Sequence, residues 1–141
     1  MSVQIKIKKL HPHAKIPEYA KPGDAGVDLT AVHVEEKDGK LYCHTGLAIE
    51  LPEGYVGKIY PRSSVHKKDL VLANSVGILD SGYRAELLVV FKTLNSRMNF
   101  YQPGDRVAQL IVEPIPTMLF KQVNELSETE RGEGGFGSTG N

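Results

Sequence analysis

A single carboxylate, Asp80, directly follows the apolar run Val76-Gly77-Ile78-Leu79. The surrounding stretch, residues 72–87, has two apolar runs separated by polar and glycine-bearing breaks, which predicts strand, turn, strand rather than a helix. A carboxylate at the end of an apolar strand is costly to desolvate unless it has partners. Two interpretations stay open: a functional acid, or an aspartate that starts the Asp80-Ser81-Gly82 turn by bonding nearby backbone.

A second candidate is Pro61-Arg62-Ser63-Ser64, which follows an apolar strand. It opens residues 63–70, the only stretch that predicts a short helix, with Ser63 or Ser64 as its cap. Free N–H groups and the helix dipole attract an anion there, and an arginine fork with hydroxyls suits phosphate oxygens. An anion site and an ordinary helix cap both remain open.

The end of the chain, residues 131–141, holds five glycines, one aromatic residue and almost nothing to bury. Such a composition predicts a tail that is mobile without a ligand. Glycines let backbone N–H groups wrap phosphate oxygens closely. Arg131 adds charge, and the ring of Phe136 offers a surface for a base to stack on.

Gln109 lies in the alternating segment 107–112, where it shares a face with Val107. A polar side chain among apolar neighbours needs a partner if it is buried, so a satisfied core residue and a functional amide are both compatible with this pattern. Asp28 follows Ala25-Gly26-Val27, which reads as a glycine-containing loop leading into a strand.

Five segments, in order, resemble the signatures of the trimeric dUTP pyrophosphatases (dUTPases). Together they span residues 25–139, nearly the whole chain. They are Ala25-Gly26-Val27-Asp28-Leu29, Pro61-Arg62-Ser63-Ser64, Asn74-x-x-Gly77-x-x-Asp80-x-x-Tyr83, Gly104-Asp105-Arg106-Val107-Ala108-Gln109-Leu110-Ile111 and Arg131-Gly132-Glu133-Gly134-Gly135-Phe136-Gly137-Ser138-Thr139. One departure is Ala85, where the family usually has glycine, which puts the fine geometry of this hairpin in question.

The resemblance implies a jelly-roll-like β-barrel that hydrolyses dUTP to dUMP and pyrophosphate by in-line attack of water on the α-phosphorus. It implies a homotrimer with active sites shared between chains. Mg²⁺ is expected, held mainly by substrate phosphates and water, with no protein residue as a metal ligand.

The resemblance also implies roles for individual residues. Asp80 would activate the water, and Asp28 would support the site. The substrate-binding residues would be those for phosphate (Arg62, Ser63, Ser64 and Gln109), for uracil and deoxyribose (Asn74, Gly77 and Tyr83), and those of a closing lid (Arg131, Phe136, Gly137, Ser138 and Thr139).

Composition limits the other possibilities. The 141 residues fit one domain, which we expect to be a barrel over 1–130 with its lid over 131–141. Seventeen basic and seventeen acidic residues cancel, so no net charge favours nucleic acid. The single cysteine, Cys43, excludes an internal disulfide, and no apolar run approaches a membrane span. These features predict a cytoplasmic protein.

Alternation and turn residues predict an all-β fold. Proline and glycine breaks separate most of the expected strands, and residues 11–23 are expected to form a loop. The predicted strands cover residues 3–10, 47–51, 55–60, 86–94, 107–112 and 120–123.

Two alternatives remain. The related dCTP deaminases share an Arg-Ser-Ser segment, but they carry a catalytic glutamate ten residues after the central aspartate, where this chain has Val90, and an arginine at the place of Lys67. The other is a dUTPase-like nucleotide-binding or regulatory barrel without turnover, which would not need the acid at Asp80.

Overall fold

The computed structural model describes residues 1–94 and 99–140. This part of the chain contains ten strands and one 3₁₀ helix, Ser63–Lys67. The strands are β1 (Lys6–Lys9), β2 (Val27–Thr30), β3 (His33–Lys37), β4 (Lys40–His44), β5 (Leu47–Glu50), β6 (Tyr55–Tyr60), β7 (Leu70–Leu72), β8 (Gly77–Leu79), β9 (Leu88–Thr93) and β10 (Arg106–Pro114). The all-β prediction is confirmed.

Two four-stranded sheets form the body, with strand orders β2-β10-β6-β8 and β3-β4-β9-β7, and β1 pairs with β5 in a smaller sheet. All pairings are antiparallel. Alternate residues of β4 and β9 point into the core, including Cys43 and Phe91, both fully buried. One apolar cluster joins them to Leu29 of β2 and Leu110 of β10, so both large sheets share a core.

The strands expected at 47–51, 55–60, 86–94 and 107–112 are present as β5, β6, β9 and β10. β9 alternates between buried and more exposed residues, whereas β5 is buried at three consecutive positions. The segment 3–10 is a strand only over Lys6–Lys9. The β3–β4 hairpin lies outside the strands that the sequence pattern predicts. Its turn is Asp38-Gly39, both with positive φ (51° and 71°), the strongest short-range signal for a two-residue hairpin.

The strand expected before Asp80 is present as β8, but it does not form a hairpin about the Asp80-Ser81-Gly82 turn. β8 pairs with β6, and no strand of the described chain lies between Leu79 and Leu88. The preceding strand, β7, pairs with β9 in the other large sheet. The intervening turn includes Ser75, which has a φ of 61°. An apolar run predicts burial but not which sheet receives it, and here the chain crosses from one sheet to the other.

Two smaller expectations also fail. The helix ends at Lys67 rather than at residue 70, and its cap is Arg62, which makes no side-chain capping bond, instead of Ser63 or Ser64. Leu70 already pairs with Thr93, so the ladder of β7 ends the helix early.

The predicted strand over 120–123 is not formed, and its chain is extended and solvent-exposed. A strand needs a ladder partner, and no strand of the described chain pairs with this segment. We name residues 115–126 the arm. Its large apolar side chains are exposed: Ile115, Met118, Leu119, Phe120, Val123 and Leu126. No helix of the described residues has the length and apolarity needed to cross a membrane.

Candidate active site

Arg62 leaves the end of β6 and turns toward β2. Its Nε donates to Asp28 Oδ1 at 3.0 Å, and its Nη1 lies 3.5 Å from Ser64 Oγ. Arg106 Nη1 approaches the other carboxylate oxygen, Asp28 Oδ2, at 3.4 Å. Asp28 therefore holds two guanidinium groups side by side, which fixes a planar set of donors at this end of the sheet.

Gln109 completes this group, which we name the Arg62 cluster (Asp28, Arg62, Ser64, Arg106 and Gln109). In the sheet, Gln109 pairs with Asp28 on one side and Tyr60 on the other. Its Nε2 donates to the carbonyl of Pro61 at 3.1 Å, which provides the partner that a half-buried amide needs. This bond fixes the backbone directly before Arg62.

Glycine at position 26 leaves room for that amide. A Cβ at Gly26 would lie 3.0 Å from Gln109 Oε1 and 3.2 Å from Ile111 Cγ1. A side chain there would require the Gln109 amide or Ile111 to move by a few tenths of an ångström. Gly26, which lies two residues before Asp28, therefore leaves room for the Gln109 side chain of the cluster.

A groove of about 440 Å³ adjoins the cluster. Its cationic lining residues are Arg62, Lys67, Lys68 and Arg106, against one carboxylate, Asp105. The floor includes Tyr101, whose buried hydroxyl has no hydrogen-bond partner within the described chain. Burial raises the pKa of Tyr101, so the hydroxyl stays protonated. The groove is suited to an anion by charge.

Arg106 and Tyr101 belong to this region although the sequence predicts no role for either. The position of Arg106 could have identified it as a site residue, because the strand β10 that begins with it also carries Gln109. Tyr101 has no comparable signal, because an aromatic residue before a Pro103-Gly104 turn is ordinary core packing.

The segment after the crossing carries Asn74, Gly77, Asp80 and Tyr83. Gly77 pairs with Ile59, and a Cβ on it would meet Ile59 Cβ at 3.2 Å and Asn74 Nδ2 at 3.4 Å. The amide of Asn74 therefore lies over the backbone of Gly77. Asp80 is exposed at the end of β8, and its carbonyl accepts from Tyr83 N–H at 3.1 Å.

Tyr83 is held by its hydroxyl, which donates to the carbonyl of Glu86 at 3.0 Å, while its side chain is 43% exposed. A ring fixed at one end and open on its face can pack against a ligand. Ala85, two residues on, is not among the residues with positive φ, so the backbone there does not require glycine.

Asp80 and Arg62 lie at opposite ends of the β6–β8 ladder. The register pairs Leu79 with Gly57, which puts Asp80 level with Val56, near the start of β6. Arg62 lies five residues after Gly57, and five residues of extended chain span about 17 Å. The guanidinium also points toward β2, on the far side of β6 from β8. Within one chain, these two groups do not converge.

The glycine-rich tail stands apart from both groups. In the part that the structure describes, its hydrogen bonds are local: Arg131 Nε donates to Gly134 O at 2.9 Å, and Ser138 N–H to Gly135 O at 3.0 Å. Phe136 has a φ of 52° and a fully exposed ring. The remaining predicted lid residues, Gly137, Ser138 and Thr139, are exposed beside it.

The described residues contain no group of three or more His, Cys, Asp or Glu side chains placed to hold a metal ion. Both carboxylate oxygens of Asp28 face arginines, so this acid is occupied by ion pairs. A cation at this site would need its ligands from a bound molecule and from water.

The fold and the Arg62 cluster define a class: an all-β protein with two jelly-roll-like sheets and an anion-attracting sheet end. The dUTPase family model matches residues 12–140. A deoxyuridine 5'-triphosphate nucleotidohydrolase of Alkaliphilus metalliredigens is 41% identical over 139 residues, covering 96% of each chain. Another of that name, from Clostridium kluyveri, is 39% identical over 98% of this chain and 99% of its own.

Solved structures agree. The dUTPase of Staphylococcus bacteriophage 80alpha, solved with dUPNHPP, superposes with a TM-score of 0.83 at 33% identity, covering 97% of this chain and 98% of the phage chain. A D95N mutant dUTPase from phage phi11, described with a structural Mg(II) ion, has a TM-score of 0.75 at 29% identity, covering 89% and 99%. The chain belongs to the dUTPase family.

Proposed function

We propose that this protein is a dUTP diphosphatase that hydrolyses dUTP to dUMP and pyrophosphate. The observation that carries the proposal is the Arg62 cluster, in which paired arginines, a serine and a glutamine sit at one sheet end. It occurs in a chain whose full-length relatives are named deoxyuridine 5'-triphosphate nucleotidohydrolases. A fixed arginine fork suits phosphate oxygens.

The segment from Asn74 to Tyr83 takes the deoxyuridine part. Backbone groups around Gly77 and the amide of Asn74, which lies over them, can pair with the edge of uracil, since an amide both donates and accepts. The amino group of cytosine would meet a donor there and be rejected. The ring of Tyr83 packs on the deoxyribose and occupies the space of a 2′-hydroxyl.

Asp80 orients the attacking water and accepts its proton as the water oxygen bonds to the α-phosphorus. The bond from phosphorus to the bridging oxygen breaks, and pyrophosphate leaves. Arg62, Ser63, Ser64 and Gln109 hold the phosphates and stabilise the charge that develops on the leaving group. Asp28 supports this by orienting Arg62.

Mg²⁺ is the proposed cofactor, bound by phosphate oxygens and water, where it shields the triphosphate charge and fixes its shape. The ion-paired state of Asp28 supports this assignment over a protein-ligated ion. Hard Mg²⁺ commonly keeps several waters and binds substrate phosphates.

The enzyme is proposed to act as a homotrimer with shared active sites. A general base must lie within hydrogen-bond reach of the proton that it abstracts. The separation of about 17 Å along the ladder leaves Asp80 out of reach of a phosphate held by Arg62 of its own chain. The Arg62 cluster of a neighbouring chain supplies the missing half, and the exposed arm offers apolar surface for that assembly.

Residues 131–141 are proposed to act as the lid of a barrel domain formed by residues 1–130. Arg131 meets the γ-phosphate, Phe136 covers the uracil, and Gly137, Ser138 and Thr139 contact phosphates. The local hydrogen bonding and exposure of the tail support a segment that is free to close over a site on another chain. Closure would exclude bulk water from the site while retaining the water that Asp80 activates.

We place the enzyme in the cytoplasm, with dUTP as its small-molecule substrate; the single, buried Cys43 suits a reducing compartment. The test is pyrophosphate release measured side by side with dUTP, dCTP, dTTP and UTP in Mg²⁺. We expect release from dUTP alone at an appreciable rate. Protection of the fold by dUTP without release would identify a binding protein instead, and ammonia release from dCTP a deaminase.

A further inference from the structure

The 3₁₀ helix Ser63–Lys67 carries the serines of the proposed phosphate site and packs against the core through one partly buried side chain, Val65. None of its five residues is fully buried, its N-cap Arg62 makes no side-chain capping bond, and its first turn has no acidic residue. Short 3₁₀ helices have poor hydrogen-bond geometry. The helix therefore depends on what holds its two ends, and its first end is fixed by Asp28 and Gln109 through Arg62 and Pro61.

The second end is held by the exposed residue Asn99, together with a bond from Leu94 N–H to the carbonyl of Asp69 at 3.0 Å. The backbone N–H of Asn99 donates to Asp69 Oδ2 at 3.2 Å, and its carbonyl accepts from Asp69 N–H at 3.4 Å. Its side-chain Nδ2 donates to the carbonyl of Lys67, and its Oδ1 accepts from Lys68 Nζ at 3.4 Å. All four polar groups of Asn99 thus bind Lys67, the last residue of the helix, and the two residues that follow it.

These contacts connect the helix to the core. Lys68 Nζ lies 3.5 Å from the carbonyl of Phe100 and 5.0 Å from the ring centroid of Tyr101. Tyr101 is 3% exposed and packs against Phe91, with ring centroids 5.3 Å apart. Asn99 and Lys68 together therefore link the end of the helix to the core region of Tyr101 and Phe91.

We propose that Asn99 is a positioning residue for phosphate binding. It fixes the end of the helix, and so the direction in which Ser63, Ser64 and Arg62 present their donors. The inference rests on the proposed function of these three residues. Asn99 itself is placed at the far end of the helix and acts through the backbone of Lys67.

The test measures the affinity of the full-length protein for each half of the substrate separately. Inorganic pyrophosphate with Mg²⁺ is the probe for the phosphate half, and deoxyuridine is the probe for the nucleoside half. Asn99→Ala should weaken pyrophosphate binding at least about tenfold, since an oriented site is sensitive to displacements near 1 Å. Deoxyuridine binding should stay within about twofold of wild type, because Asn74 and Tyr83 do not contact the helix. Isothermal titration calorimetry gives both affinities.

Three further variants separate positioning from general stability. Asp69→Ala removes the acceptor for Asn99 N–H and should reproduce the selective loss, whereas Asp69→Asn keeps an amide oxygen there and should restore wild-type affinity. Thr93→Val removes a comparable bond, Oγ1 to Gly39 O at 2.9 Å, in the residue that pairs with Leu70. Because this bond leads to the β3–β4 turn and not to the helix, neither affinity should change. If Asn99→Ala does not fold, the pyrophosphate and deoxyuridine affinities of the two Asp69 variants test the proposal instead.

Unchanged pyrophosphate affinity in Asn99→Ala, or an equal loss of both affinities, overturns the proposal. So does a wild-type protein without measurable pyrophosphate binding. Failure of the proposed function has a different signature, because a wild type that does not hydrolyse dUTP can still show the selective loss of pyrophosphate affinity in Asn99→Ala.

Discussion

Asp28 Oδ1 accepts a hydrogen bond from Arg62 Nε at 3.0 Å, and this contact turns the guanidinium away from β8 and toward β2. The carboxylate is about one-fifth exposed, so solvent screens it only in part. This hydrogen bond therefore determines where the Arg62 guanidinium lies relative to the sheet.

Asp28→Ala should therefore free both Arg62 and Arg106 and lower kcat/KM for dUTP by at least about tenfold, since orientation of a phosphate-binding arginine is lost. Asp28→Asn, which keeps one acceptor oxygen, should lose less. Steady-state kinetics check both, with Glu36→Ala on the exposed face of β3 as a control for removal of a carboxylate. Equal rates in wild type and Asp28→Ala would contradict the supporting role.

Asp80→Asn should bind nucleotide but lose turnover by about a hundredfold or more, the low end of a general-base contribution. Asparagine keeps the shape of the side chain but accepts no proton. Binding is measured by calorimetry with an α,β-imido analogue of dUTP, and turnover by pyrophosphate release. Near-normal turnover would remove Asp80 from the mechanism.

Tyr83→Ala should narrow the preference for dUTP over UTP, mostly through lost dUTP efficiency, because the ring no longer occupies the position of a 2′-hydroxyl. The matched control is Tyr83→Phe. It removes only the hydroxyl bond to Glu86 and should keep most of the preference. The measurement is the ratio of kcat/KM for the two nucleotides, and an unchanged ratio in the alanine variant would place the discrimination elsewhere.

Mixed assemblies test whether Asp80 and the tail of different chains meet. Protein with Asp80→Asn and protein lacking residues 131–141 should each be nearly inactive. Co-refolded in equal amounts, they should recover activity in roughly a quarter of sites, by the symmetry of a closed trimer. A tag pull-down verifies mixing. Verified mixed trimers without recovery would show that both parts belong to one chain.

Cys43 should be inert in the native protein. Burial, with a smaller contribution from the charge of Asp105, raises the pKa of the Cys43 thiol from 9.0 to about 12. At pH 8, Ellman's reagent should label it only in denaturant, whereas a cysteine introduced at the exposed Ser2 should react at once. Between about pH 9 and 12 the unfolded chain releases the thiol proton while the folded chain keeps it, so the free energy of unfolding decreases as pH rises. The Cys43→Ala variant should lack this pH-dependent decrease when its free energy of unfolding is measured in urea.

Much of the fold can be predicted from the local sequence pattern, and the errors of that prediction have one physical cause. Strand β9 alternates between buried and more exposed residues, and β5, β6 and β10 are largely apolar segments bounded by turn residues, so both patterns are visible without a structure. The pairing of β7 and β8 with different sheets is not, because register depends on distant partners. The segment 120–123 has a strand-like composition but no partner among the described strands.

The candidate site shows the same limit. Residues that act within one short segment, such as Arg62 and Ser64, are visible as motifs. Arg106 joins them only through the antiparallel register of β10 with β2. The placement of Asp80 and Arg62 at opposite ladder ends follows from the β6–β8 register, and motif order along the chain carries no information about it.

If the proposed homotrimer covers the exposed arm, the activity of the protein should depend on its concentration. Leu119 and Phe120 are 92% and 91% exposed, and contiguous apolar surface of this kind favours association. If the arm is covered only in the assembly, mass action links folding stability to protein concentration. Specific activity should then fall on dilution, and a newly synthesised subunit is most vulnerable to aggregation in the interval before it meets its partners.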